Sequence, residues 1–138
     1  MQVARKAVVV DDMDFCRAFL TDYLTEQSYQ VISFPSATDF IAHCTVDGRC
    51  PCTEPCVDLL LLDNRMPGLS GLDFLKQRAD LGCKLKSEQL AMFSGSWTKK
   101  EKQQAEKLGC LTFPKPYDVS AMDSWLEGLE MKKRVCAK

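Results

Sequence analysis

Asp11, Asp12, Asp63, Ser94 and Lys115 each stand at or just beyond the end of a short apolar run. Carboxylates held close together repel, so they take up protons or bind a cation. An all-oxygen set of this kind suits Mg2+, which takes one or two carboxylates and keeps waters and a phosphate oxygen. A carboxylate is also a phosphoryl acceptor, forming an aspartyl phosphate. Phosphoryl transfer needs in-line positioning and neutralised charge around the moving group. A divalent cation would screen one side, the Lys115 ammonium another, and the Ser94 hydroxyl would donate to a phosphate oxygen. Each residue alone would serve as a turn or a helix cap. Asp63 resists that reading, because it follows four leucines, and a strand buried on both faces rarely ends in a carboxylate without a task.

Sulfur offers a second chemistry. Of eight cysteines, Cys16, Cys83, Cys110 and Cys136 are scattered, whereas Cys44, Cys50, Cys52 and Cys56 fall in one short stretch beside His43. Soft ligands so grouped suit Zn2+ or an iron–sulfur centre. Their spacings of five, one and three intervening residues match no usual zinc ribbon or ferredoxin run. Reactive thiols and a plain cysteine-rich loop therefore stand beside the metal reading. His43, the single histidine, reads as a surface residue.

The elements that must position these residues alternate strand and helix five times. Residues 7–10 form a β-branched run that stops at Asp11-Asp12, and Phe15, Phe19, Leu20, Tyr23 and Leu24 then recur at helical spacing over about 14–27. A second strand, Tyr29–Phe34, is stopped by Pro35. Ser36 to Asp39 resembles a helix start whose apolar face is Phe40, Ile41 and Cys44. Residues 47–56 read as a loop. Residues 57–62 are nearly all apolar, as suits a central parallel strand covered on both faces. After a turn at 66–71, Leu72, Leu75 and Ala79 begin the third helix, and 90–93 is the fourth strand. Thr98 to Glu101 has the capping-box form and starts a largely polar helix that ends at Gly109, near Trp97, Ala105 and Leu108. Residues 111–113 make the fifth strand. Val119, Met122, Trp125, Leu126 and Leu129 stripe a last helix whose Lys132-Lys133-Arg134 end suits the dipole. Five such units with right-handed crossovers predict an α/β, doubly wound parallel sheet, with the site beyond its carboxyl ends.

Composition narrows the partners. With 18 basic against 19 acidic residues, the net charge of −1 lacks the signature of a dedicated nucleic-acid binder. The longest apolar runs, 7–10 and 59–62, are far too short to span a membrane, and no signal-peptide core opens the sequence. The expectation is a cytoplasmic, single-domain protein over residues 1–138, with no membrane insertion and no direct contact with nucleic acid.

Four segments together, Val8-Val-Val-Asp-Asp12, Leu59-Leu-Leu-Leu-Asp-Asn-Arg-Met-Pro-Gly68, Met92-Phe-Ser-Gly95 and Phe113-Pro-Lys-Pro116, resemble the receiver domain of bacterial response regulators of the chemotaxis-regulator type. The resemblance covers about residues 5–131. It implies the five-stranded flavodoxin-like sheet, order 2-1-3-4-5, with five helices. It further implies that Asp63 is the phosphoacceptor, and that Asp11, Asp12, Asp63 and the backbone carbonyl of Arg65 hold Mg2+ or Mn2+. Ser94 would be the switch hydroxyl and Lys115 the phosphate contact, with a bond to Pro116 that is commonly cis in the family. The implied donor is a sensor histidine kinase or phosphotransfer protein. The implied readout is a downstream protein bound through the helix 4–strand 5–helix 5 face. Such a domain is not an enzyme beyond its own phosphorylation and dephosphorylation.

Two positions depart from the pattern. Thr112 stands where the family usually has its aromatic switch residue, with Phe113 next to it. Arg65 would put a guanidinium near the phosphoryl group, where it would obstruct the hydrolytic water. A haloacid-dehalogenase-type phosphatase is disfavoured because Arg65 occupies the place of its second acid. Flavodoxin is disfavoured because Asp11-Asp12 would repel a flavin phosphate. The alternative function is a receiver-like scaffold sensing metal, Zn2+ in particular, or thiol redox state through residues 44–56.

Overall fold

The computed structural model describes residues 5–136, with side chains described through Lys132. The side chains of Lys133 and Arg134 at the expected basic end, and that of Cys136, lie outside the described residues. Five strands, β1 (Arg5–Val10), β2 (Tyr29–Phe34), β3 (Leu59–Asp63), β4 (Leu90–Ser94) and β5 (Leu111–Pro114), alternate with five helices. These are α1 (Asp14–Glu26), α2 (Ala37–Cys44), α3 (Gly71–Gln77), α4 (Lys99–Lys107) and α5 (Val119–Cys136), and a 3-10 turn, Ser87–Gln89, leads into β4. The strands pair in parallel in the order β2-β1-β3-β4-β5. This is the doubly wound parallel sheet that the alternating pattern predicts, in the flavodoxin-like order that the family resemblance implies.

Alternation along the strands builds two cores, because successive side chains leave opposite faces. Val8, Val10, Leu60, Leu62, Leu90 and Met92 pack with Phe40 of α2, Phe74 and Leu75 of α3 and Ala105 of α4. Ala7, Val9, Leu59, Leu61, Ala91 and Phe93 pack with Leu20 and Leu24 of α1 and Met122 and Leu126 of α5. All five residues of β3 and of β4 are buried, whereas edge strand β2 leaves Ile32 exposed.

Local signals set the helix starts. The hydroxyls of Ser36, Ser70 and Thr98 accept from the backbone amides of Asp39, Asp73 and Glu101, and the last two are full capping boxes. At Gly71 a Cβ would lie 2.8 Å from the Asp63 carbonyl oxygen, so only glycine lets α3 begin directly against the end of β3.

Several expectations shift. β3 starts at Leu59, not Val57: Lys6 N–H donates to the Asp58 carboxylate, and Asp58 N–H to the Lys6 carbonyl, before the ladder begins. Asp63 is itself the last residue of β3. α3 ends at Gln77, leaving Ala79 outside it. Phe15, expected on the apolar stripe of α1, is 78% exposed, because the face turned to the sheet is Cys16, Leu20, Tyr23 and Leu24. Val119 and Leu108 are likewise exposed. Among the described residues no helix is long and apolar enough to cross a membrane.

Candidate functional site

Parallel register brings the strand ends together. Val10 pairs with Leu62, Asp63 with Phe93, and Ser94 with Pro114, so Asp11, Asp63, Ser94 and Lys115 emerge at one edge of the sheet. Asp11 and Asp63 are only 1% and 4% exposed, Ser94 is buried, and Asp12 is exposed at the rim. Each of Asp11, Asp12 and Asp63 offers an oxygen within 4.8 Å of the other two.

Lys115 is the cation among them. Its Nζ donates to Asp11 Oδ2 at 2.8 Å and lies 3.3 Å from Asp63 Oδ1. Its backbone N–H donates to the Ser94 carbonyl at 3.0 Å, prolonging the β4–β5 ladder by one residue, and its bond to Pro116 is cis. Burial works to lower the lysine's pKa, but the hydrogen bond and charge of Asp11, with that of Asp63, hold it above its usual value. Asp63 moves the other way. Burial, reinforced by the neighbouring Asp11 charge, raises its carboxyl to about 6, with Lys115 opposing. One ammonium among three carboxylates leaves negative charge uncompensated in a partly dry place, which is the donor set a hard divalent cation fits.

Backbone amides complete the lining. Met13 N–H donates to Asp11 Oδ1 at 2.9 Å and Arg65 N–H to Asp63 Oδ1 at 3.4 Å, so the backbone of Arg65 stands at the mouth of the site. Ser94 Oγ accepts from Ser96 N–H at 3.1 Å. The Arg65 guanidinium, expected over the phosphoryl position, is engaged on the α4 side. It donates to the Ser96 carbonyl at 3.0 Å and pairs with Glu101 at 2.8 Å, because the capping carboxylate of α4 lies within its reach.

Sequence reasoning gave no role at this pocket to four residues, Asn64, Glu101, Trp97 and Tyr117. Asn64 is buried; its Oδ1 accepts from Leu72 N–H and its Nδ2 donates to Glu101, tying β3 to the first turns of both α3 and α4. Glu101, read as a cap alone, is therefore also the partner of Asn64 and Arg65. Trp97 lies partly buried before α4, its indole N–H donating to the Phe113 carbonyl at 2.9 Å. Tyr117 stacks on Phe19 at 4.7 Å and meets Phe93 edge-on. An amide side chain directly after the carboxylate that ends a leucine strand was the signal for Asn64; the others depend on contacts between distant segments. Phe113 is buried between Phe93 and Trp125, while Thr112 beside it is half-buried.

Cys44, Cys50, Cys52 and Cys56 gather at the other end of the sheet, on the last turn of α2 and in the α2–β3 connection. Sγ atoms of Cys50, Cys52 and Cys56 lie within 4.8 Å of one another. Cys44, Cys50, Cys56 and Cys83 share a small apolar-walled cavity with Phe40, Phe74, Leu81 and Leu85. Cys83, expected to be scattered, thus joins the group, because the turn after α3 packs against the loop. Burial, then the neighbouring thiols, push Cys44 and Cys56 up to about 11. His43 is exposed, its ring against Phe34.

Comparison with solved structures places the fold among known ones. The chemotaxis protein CheY4 of Vibrio cholerae is 18% identical over 91% of this chain and 98% of its own, with a TM-score of 0.68. An N-terminal domain of a Wolinella succinogenes protein is 24% identical over 96% and 98%, at 0.74. FixJ-N is 26% identical over 92% and 93%, at 0.69. No curated protein sequence matches significantly. Residues 7–128, which run from the first buried strand through most of α5, match the profile of the response regulator receiver domain, and the chain belongs to that family.

Proposed function

We propose that this chain is a cytoplasmic phosphoacceptor in two-component signalling, taking a phosphoryl group onto Asp63 from the phosphohistidine of a sensor histidine kinase or phosphotransfer protein. The single observation that carries this reading is Lys115 Nζ lying 2.8 Å from Asp11 and 3.3 Å from Asp63 at the strand ends. An Asp63 oxygen attacks phosphorus in line, the phosphorus–nitrogen bond breaks, and the imidazole leaves. Asp11, Asp12, Asp63 and the Arg65 carbonyl would hold Mg2+ or Mn2+, which when bound neutralises charge on the phosphoryl oxygens. Lys115, already an ammonium, meets another of those oxygens without needing a proton. Asp11 orients Lys115 through their short ion pair, and the Arg65 amide orients the attacking carboxylate.

The readout follows from the added charge, about −1.5 to −2 for a phosphoryl group. Ser94 Oγ, now accepting from Ser96 N–H, turns to donate to a phosphoryl oxygen. That frees the Ser96 amide and moves the segment that carries Trp97 and the start of α4. Because Trp97 is bonded to the Phe113 carbonyl, β5 follows. The route thus runs through Trp97 in place of the aromatic residue that Thr112 replaces, and it ends on the α4–β5–α5 face, where a downstream protein binds.

The test is intact mass after incubation with acetyl phosphate, with and without Mg2+. The expected result is a gain of one phosphoryl mass that needs Mg2+ and is absent in Asp63→Asn. No gain by a folded protein that binds Mg2+ would overturn the reading.

A further inference from the structure

The α2–β3 connection, residues 45–58, is long for a link between packed elements, and links of this length are usually functional or disordered. This one is ordered by its backbone. Val46 and Arg49 form an antiparallel bridge around a turn at Asp47 and Gly48, both in the left-handed region. Cys50 N–H donates to the Leu81 carbonyl at 2.7 Å, and the Arg49 guanidinium to the Asp80 carbonyl at 3.3 Å. The loop is thereby fastened to the turn after α3. Toward the cavity beneath it the loop presents sulfur, from Cys50 and Cys56.

We propose that Cys50, Cys52 and Cys56, with Cys44 as the fourth ligand, form a structural Zn2+ site. Zinc binds thiolates tetrahedrally at about 2.3 Å, which sets neighbouring sulfurs about 3.8 Å apart. Three sulfurs already within 4.8 Å of one another reach that spacing with small side-chain rotations. Cys44 supplies the inner corner from the last turn of α2, on the apolar floor made by Phe40, Phe74 and Leu85. Cys83 lies beside it, its sulfur accepting from the Arg78 guanidinium at 3.6 Å. Four closed sulfur positions leave no place for water or substrate, the mark of a structural zinc site. Binding displaces four thiol protons to solvent and changes no oxidation state, leaving a site of net charge −2. Lys84, held by the Gly82 carbonyl and acting on Cys52, and Arg78 supply nearby positive charge. The ligand is a soft-metal cation, and the consequence is a fixed α2–β3 connection beyond the amino ends of the strands, remote from the acidic pocket.

The full chain, purified under reductant without chelator, is analysed for metal by mass spectrometry, then stripped and titrated with Zn2+ and Co2+. One zinc per chain is expected, with the visible ligand-field bands of tetrahedral cobalt thiolate. Cys52→Ser and Cys56→Ser should each weaken zinc by more than the about 10–100-fold that loss of an outer partner costs. Cys110→Ser and Asp63→Asn should retain it. The cobalt spectrum of the unaltered chain needs no variant to fold. Absence of stoichiometric zinc after reduction, a brown iron-containing product, or disulfides that persist as the only form would each overturn the site. Retention of zinc in Cys44→Ser with loss in Cys83→Ser would overturn the choice of fourth ligand.

Discussion

The two ends of the sheet hold two donor sets of opposite character. At the carboxyl ends, oxygen donors leave regular strands whose parallel register brings them together, and buried carboxylates face a single ammonium. At the amino ends, sulfur donors sit on an irregular loop held by a few backbone bonds, walled by apolar side chains. The first set is hard, partly open and charged before any ligand arrives, which suits a cation that keeps waters and exchanges partners. The second is soft, and burial and mutual proximity keep its Cys44 and Cys56 thiols protonated until a metal displaces the protons. One end is suited to chemistry and the other to holding shape.

Separation of the two ends gives the largest expected effect. Asp63→Asn should abolish phosphoryl uptake while keeping one zinc per chain, and the Cys50→Ser, Cys52→Ser double variant should do the reverse. Intact mass and metal content measure both. If removing the thiols also removed uptake in a folded protein, the two ends of the sheet would be coupled.

A smaller effect comes from the charge buried at the acidic end, which works against the stability of the fold. The Asp63 carboxyl moves from an ordinary value of 3.8 to about 6 on folding, mainly by burial and then by Asp11. Between those values the native state keeps a proton that the unfolded state has lost, so stability falls as pH rises through this window, and the full cost is present above about pH 6. In chelator at pH 7, Asp63→Asn should therefore be more stable than the unaltered protein by about 1–3 kcal/mol. The gap should shrink toward pH 4, and Mg2+ should narrow it at pH 7. Urea midpoints across pH decide this; a variant less stable at every pH would show that the buried charge is not strained.

The smallest effect concerns the link from the pocket to α4. Arg65 is half-exposed, so Arg65→Ala should lower stability by less than about 1 kcal/mol in urea unfolding. Because its guanidinium is held by Glu101 and Ser96, phosphoryl lifetime in that variant, followed by mass decay, should change little. A several-fold change would return Arg65 to the acidic pocket.

Much of the acidic site was legible because a parallel α/β sheet puts every strand's carboxyl end at one edge, so residues that end apolar runs must meet. The caps at Ser36 and Thr98 were legible for a local reason: a hydroxyl three residues before an acid at a helix start caps the first turn. Asn64 escaped because a lone amide after a strand has no partner in the sequence; Glu101 comes from α4, beyond both α3 and β4. Phe15 misled, since helical spacing allows two neighbouring stripes and only docking on the sheet selects one.

The strand and helix alternation and the oxygen donors at the strand ends could be read from the residues alone, because they depend on periodicity and on chain direction; the order of the strands came from the family resemblance, since periodicity does not say which strands are neighbours. Only the tertiary structure decided that Cys83 stands with the other thiols, that Arg65 faces α4, and that Trp97 bonds to β5. Those contacts join segments far apart in sequence, and the packing of irregular connections against one another sets them, not any local preference of the residues involved.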